Sequence, residues 1–155
     1  MVSAVHKRNK INKTGQEGFS LLEILIALIL LAGAGTFVAG KIFDQFHEGR
    51  VESAKIQMSS LAARLKEFNR HCNRYPTTDQ GLEALIEKPS SGPECKKYNP
   101  GGYIDGGILP DDPWDNPYFY ESENGRKFNI VSFGADGVEG GEDKDKDIYL
   151  YGKKE

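Results

Sequence analysis

Residues 18–41 read GFSLLEILIALILLAGAGTFVAGK, a run of apolar and small residues interrupted by a single acid, Glu23. At about 1.5 Å rise per residue this run makes a helix of roughly 33 Å, enough to cross a hydrocarbon core of roughly 30 Å. Lys7, Arg8, Lys10 and Lys13 precede it. Positive flanks stay in the cytoplasm, so the pattern predicts that everything after Lys41 is carried across the membrane.

A basic start followed by an apolar run is also the pattern of a secretory signal peptide. Three features argue otherwise: the run is long, it ends in no small-x-small cleavage site, and an acid sits near its beginning. A carboxylate inside a membrane span costs about 2.5–3.5 kcal/mol at the centre and less near an end, so it needs a partner. Cleavage between Gly18 and Phe19 would supply one. The new amine of Phe19 would lie one helical turn from Glu23 and neutralise it, in the same chain or in a neighbour. Here GFSLLE resembles the processing motif of type IV pilin-like proteins. The resemblance implies that a prepilin peptidase cuts after Gly18, that Phe19 is N-methylated, and that Glu23 pairs with the amine of an adjacent subunit.

The chain has 155 residues. Residues 1–18 read as a basic leader and 19–41 as a membrane or filament-core helix, which leaves 42–155 for one small domain on the far side. With 18 Gly, 7 Pro and a net charge of −3 that becomes more negative when the leader leaves, this domain is acidic and rich in loops. Lys and Arg are dispersed and form no basic stripe interleaved with aromatics, which argues against nucleic-acid binding. Both cysteines, Cys72 and Cys95, fall on the translocated side. An oxidising compartment favours a disulfide closing a loop of about 24 residues, worth about 2–4 kcal/mol. Two separate buried thiols are the alternative that spacing leaves open, whereas a C-x-x-C redox or zinc element is excluded.

Helical periodicity continues past the membrane run. Val51, Ala54, Met58, Leu61, Leu65, Phe68 and Cys72 recur at three- and four-residue steps, with charges on the other faces, and predict one helix over residues 19–69. Gly33, Gly35 and Gly40 allow either close helix approach or nothing beyond what a bilayer tolerates. In YPTTDQGLEAL, residues 75–85, Pro76 ends the preceding structure, and residues 81–86 predict a short helix, capped by Thr78, that buries Leu82, Leu85 and Ile86. Residues 90–107 are turn-rich, with a brief extended piece at 102–104. Trp114 is expected to be buried. Residues 118–120 and 128–133 read as strands joined by a turn at Glu123-Asn124-Gly125, and 147–151 as a last strand. The fold class is α+β: a long N-terminal helix, half membrane and half amphipathic, packed against a small C-terminal antiparallel sheet with irregular loops.

YPTTDQGLEAL, LPDDPW and SFGADG, in that order, narrow the resemblance to the major pseudopilins of type II secretion systems, the general secretion pathway protein G family. The resemblance covers nearly the whole chain after the leader and implies a pilin-like fold. It also implies Ca²⁺ bound in the acidic loop, with Asp136 and Asp147 as candidate ligands and Asp143 and Asp145 as competitors. The loop departs from the family's usual adjacent acids, reading Asp143-Lys-Asp145-Lys-Asp147. An EF-hand is excluded, because aligning those three acids with its first ligands puts Ile148 at the obligatory Gly and Lys154 at the bidentate Glu. A solvated acidic loop is the plainer reading; against it, uncompensated acids repel each other.

His6, His47 and His71 lie in no nucleophile context, and no Gly-rich loop has the strand-to-helix setting that cradles phosphate. The expectation is a structural subunit and not an enzyme. The resemblance implies a helical homopolymer assembled with minor pseudopilins, an inner-membrane platform, its cytoplasmic ATPase and the prepilin peptidase. It also implies a single-pass inner-membrane protein with a cytoplasmic N-terminus and a periplasmic domain. A type IV pilus subunit is the near alternative, disfavoured by cysteines lying mid-chain. A monomeric membrane-anchored calcium-binding domain is the distant one.

Overall fold

The computed structural model describes residues 18–152, and for residues 35–40 the backbone alone. The leader expected at residues 1–18, with its four basic side chains, lies outside the described residues apart from Gly18. The chain divides between Lys41 and Ile42 into two compact units.

Within the first unit, helix α1 (Leu21–Cys72) begins after an irregular Gly18-Phe19-Ser20, its first bond running from the Ile24 N–H to the Ser20 carbonyl at 3.1 Å. Glu23 sits in the first turn, where the positive end of the helix dipole favours an acid. The apolar side chains around it are exposed: Leu21 is 88 % accessible and Leu31 72 %. Among the described residues no helix is long and apolar enough to cross a membrane. The apolar run of the sequence continues through residues 35–40, whose side chains are outside the description.

Within the second unit, α1 buries one stripe. Ala54, Met58, Leu61, Leu65 and Phe68 are at most 3 % exposed, at the spacing that keeps one helical face inward. They share a core with Leu82, Leu85, Tyr103, Tyr118, Tyr120, Ile130 and Ile148. The helix runs three residues beyond the expected 69. It ends where Asn73 turns left-handed, at φ 56°, with its N–H on the Asn69 carbonyl at 2.7 Å.

The short helix expected after Pro76 is two 3₁₀ turns, Thr78–Gln80 and Leu82–Leu85. Gly81, at φ 61° and ψ −166°, separates them in a conformation an L side chain rarely adopts. The cap is Thr77 and not Thr78. The Thr77 hydroxyl accepts the Gln80 N–H at 3.2 Å while the Gln80 side chain accepts the Thr77 N–H at 3.0 Å, a capping box. The Thr78 hydroxyl is instead spent on the sheet, accepting the Ser122 N–H at 3.0 Å.

The sheet has three antiparallel strands in the order β1 (Phe119–Glu123), β2 (Lys127–Ser132), β3 (Ile148–Tyr149). Tyr120 lies opposite Ile130, and Val131 opposite Tyr149. Asn124 and Gly125 both take positive φ, 54° and 66°, the mirror-type turn that suits a twisted hairpin. The Gly125 carbonyl accepts the Tyr75 N–H at 2.9 Å, fixing the hairpin tip to the chain leaving α1. The last strand is shorter than expected. Leu150 still donates to the Ile130 carbonyl at 3.0 Å, but beyond it the Asn129 side chain takes over, accepting from Tyr151 and donating to the Gly152 carbonyl. No strand forms at 102–104, although the Tyr103 N–H reaches the Leu85 carbonyl at 2.7 Å. Trp114 is half-buried rather than buried, its ring centroid 5.9 Å from that of His47.

A disulfide joins Cys72 to Cys95, with Cα atoms 4.9 Å apart. It ties the last residue of α1 to the loop preceding Tyr103.

Truncating Leu65, which is fully buried, to Ala removes apolar contacts and leaves a cavity. The expected loss is about 2–5 kcal/mol, read from denaturant unfolding of the whole chain. Ile56→Ala, at a site 63 % exposed, should stay within about 0.5 kcal/mol of the parent.

Candidate functional site

The loop between β2 and β3 is held at its base by a buried carboxylate that the sequence reading did not single out, Asp112. Its Oδ1 accepts the N–H groups of Trp114 and Asn116, each at 2.9 Å, and its Oδ2 accepts the Ser132 hydroxyl. Ser132 in turn accepts the Gly134 N–H at 3.2 Å, and the Asn116 amide donates to the Gly134 carbonyl at 3.0 Å. Asp112 is 3 % exposed and Ser132 is fully buried, so the network is a closed set of satisfied polar groups at the end of β2. The signal for it lies in DDPWDN: an acid whose side chain folds back on N–H groups two and four residues on is an Asx-type turn.

Above this base stand the four acids. Asp147, just before β3, is 8 % exposed; its Oδ2 accepts the Gly140 N–H and the Tyr149 hydroxyl, each at 2.9 Å. Its Oδ1 is buried without a hydrogen-bond partner. Burial pushes the Tyr149 phenol up to about 12, helped by its bond to Asp147 and by the negative charges of Asp147, Glu139 and Glu121. Asp136 is exposed and closes a turn of its own, accepting the Val138 N–H at 3.1 Å. Asp143 and Asp145 lie on an exposed 3₁₀ turn, Asp143–Asp145, that Asp143 enters at a positive φ of 52°. The Asp145 carbonyl packs directly over Gly141, where no Cβ would fit. Between these acids Lys144 reaches Asp44 on α1 at 2.7 Å. Asp147 is thus alone in being buried, and among the described residues no three His, Cys, Asp or Glu side chains converge on one point.

Of the residues singled out at the other end of the chain, Gly18 and Phe19 precede α1 in irregular backbone, with Phe19 78 % exposed, and Glu23 is exposed one turn further on. The peptide between Gly18 and Phe19 is therefore open to solvent. His71 bonds the Tyr103 hydroxyl through Nδ1 at 3.1 Å and serves packing at the end of α1.

Residues 41–151 match the sequence family described as Type II secretion system (T2SS), protein G. The chain is 39 % identical over 134 residues to the type II secretion system core protein G of Pseudomonas aeruginosa, covering 86 % of this chain and 93 % of that protein. It is 38 % identical to the protein of that name from Vibrio cholerae, covering 86 % and 90 %. Among solved structures, the crystal structure of the major pseudopilin from the type 2 secretion system of enterohaemorrhagic Escherichia coli superposes with a TM-score of 0.61 at 33 % identity, covering 70 % of this chain and 87 % of that one.

Tyr149 carries a pH consequence. Its proton leaves near 10 in the unfolded chain and near 12 in the fold, so between those values the folded state holds a proton the unfolded chain has lost. Stability is complete below pH 10 on this account and falls as pH rises towards 12. In Tyr149→Phe the thermal midpoint should decline less over that window, the remaining decline coming from Tyr98, Tyr103, Tyr118 and Tyr120, whose phenols burial also raises.

Proposed function

The chain belongs to the type II secretion system protein G family, and on that premise we propose that it polymerises through its apolar helix into a pseudopilus supporting export of folded periplasmic proteins across the outer membrane. The family is structural and the chain is not an enzyme. As a secretion pseudopilin it assembles with copies of itself and with other components of the system. The observation that carries the finer reading is the exposed apolar surface of α1 from Leu21 to Leu31, wrapped around a single acid, Glu23. Such a surface has no stable state in water at about 25 cal/mol per Å². A bilayer covers it first and neighbouring helices afterwards, and in either setting Glu23 needs a positive partner. Cleavage between the exposed Gly18 and Phe19 by a prepilin peptidase, with N-methylation of Phe19, provides one on the adjacent subunit. This supports a single-pass inner-membrane precursor with its domain in the periplasm. Minor pseudopilins, an inner-membrane platform and a cytoplasmic ATPase are the partners proposed, since nothing in the chain's chemistry drives extraction of the helix.

Calcium is part of the proposal. The acidic loop fits the ion because a buried carboxylate oxygen, Asp147 Oδ1, lacks any partner, and a hard cation is the group that such an oxygen lacks. Asp136, Asp143 and Asp145 are the further carboxylates within the loop, and a shell of six to eight oxygens also draws on backbone carbonyls and water. Bound there, Ca²⁺ supplies the positive charge that offsets the repulsion among these acids. The other oxygen of Asp147 already accepts the Gly140 N–H and the Tyr149 hydroxyl.

Mass spectrometry of the purified protein should show an N-terminal methylated Phe19, and Glu23→Ala should abolish filaments while leaving the protein in the membrane. A retained leader, or unimpaired assembly of Glu23→Ala, overturns the filament reading in favour of an anchored monomer. Separately, Ca²⁺ should raise the thermal midpoint, Mg²⁺ far less, and Asp147→Asn should remove the rise; equal melting in Ca²⁺ and in chelator overturns the calcium reading.

A further inference from the structure

Strand β2 carries opposite charge at its two ends. At the hairpin end, Arg74, Arg126 and Lys127 line a cavity in which Glu123 is the one acid among the described residues. Arg74 Nε is buried without a hydrogen-bond partner and lies over Gly125, where an added Cβ would approach it to 3.2 Å. Arg126 and Lys127 are exposed, and among the described residues no carboxylate pairs with either. Adjoining them is an opening of about 560 Å³ walled by Tyr75, Phe128 and Tyr151. The Phe128 ring stands 4.6 Å from Tyr75 and 5.5 Å from Tyr151. This end of the domain offers cations around an aromatic recess.

The other end offers the complement. The loop after Ser132 exposes Glu139, Glu142, Asp143 and Asp145, and beside them Val138, an aliphatic side chain 63 % exposed. The two ends are fixed at opposite ends of the same stretch of α1. The hairpin tip is bonded to Tyr75, three residues beyond the helix, and the acidic loop to Asp44 through Lys144. From Asp44 to Cys72 the helix runs for about 42 Å at 1.5 Å per residue. Two complementary patches at opposite ends of one chain suit a head-to-tail contact, the kind that builds an open filament wherever its rotation does not close into a ring.

We propose that the basic hairpin tip of one copy receives the acidic loop of the next, Glu139 and Glu142 meeting Arg126 and Lys127 while Val138 enters the aromatic recess. An apolar anchor inside a charged rim is the usual anatomy of a specific interface, and the charges set its polarity. The inference rests on the filament reading and adds to it the surface by which the domains outside the helical core engage each other. Two different patches meet, so the contact gives the filament a direction. Because the paired charges are exposed, the contact weakens as the screening length drops below about 8 Å.

The test is filament assembly by the whole chain, in its host membrane, scored as sedimentable polymer. Arg126→Glu with Lys127→Glu should reduce polymer about tenfold, in the range of close interfacial charge pairs. Glu139→Lys with Glu142→Lys should do the same, and combining all four changes should restore assembly. Lys66→Glu, an exposed reversal in the C-terminal part of α1 outside both patches, should assemble as the parent does. All the altered side chains are exposed, and thermal midpoints equal to the parent's confirm that folding is intact. Parent-like assembly of either reversed pair, or no rescue in the fourfold variant, overturns this contact and leaves the filament reading standing. Absence of polymer from the unaltered chain overturns both.

Discussion

One stripe of α1 governs the domain that begins at Ile42. Ala54, Met58, Leu61, Leu65 and Phe68 present a continuous apolar face, and every other element in the core is there to cover it. Two aromatic side chains on or beside β1 show how closely that cover is specified. Tyr118 and Tyr120 bury their rings against the stripe and dispose of their hydroxyls locally, on the Gln57 side chain and on the Pro76 carbonyl. The sheet can therefore be small. Five residues of β1 and six of β2 suffice, because the aromatic side chains fill volume that short aliphatic ones would leave empty.

What the sheet cannot do, hydrogen bonds from side chains do. Much of the domain is irregular backbone, whose polar groups need partners once buried. Asp112 and Ser132 supply them to backbone two to four residues away, and Asn116 and Asn129 to backbone about twenty residues away. This is why a domain with so many turns is still ordered, and why its buried polar residues, Gln80, Asp112, Asn129, Ser132 and Asp147, all lie outside the helix face.

The helix and hairpin were legible in the sequence because each obeys a local period: three and four along α1, alternation and an Asn-Gly turn in the hairpin. One short helix was expected where two 3₁₀ turns form, because the break falls on Gly81, whose φ of 61° and ψ of −166° are a backbone state that no apolar period announces. The shortening of β3 is likewise unannounced, since Asn129 replaces the backbone as the partner of Tyr151. At the acidic loop, the sequence marked the carboxylates but could not separate them. Burial distinguishes Asp147, and burial is a property of the folded chain. Asp112 escaped notice because its residue type looked like ordinary turn chemistry, and only the Ser132 hydroxyl brought from strand β2 makes it a junction.

The link between Cys72 and Cys95 has a mechanical meaning as well as a thermodynamic one. A pull delivered along α1 reaches Cys72 and there divides between the peptide backbone and a covalent cross-strap to Cys95. The intervening segment, with its glycine-interrupted turns and its grip on Ser122, sits on a slack branch. Tension can thus pass around residues 73–94 without unravelling them, as a shunt carries current around a component wired in parallel.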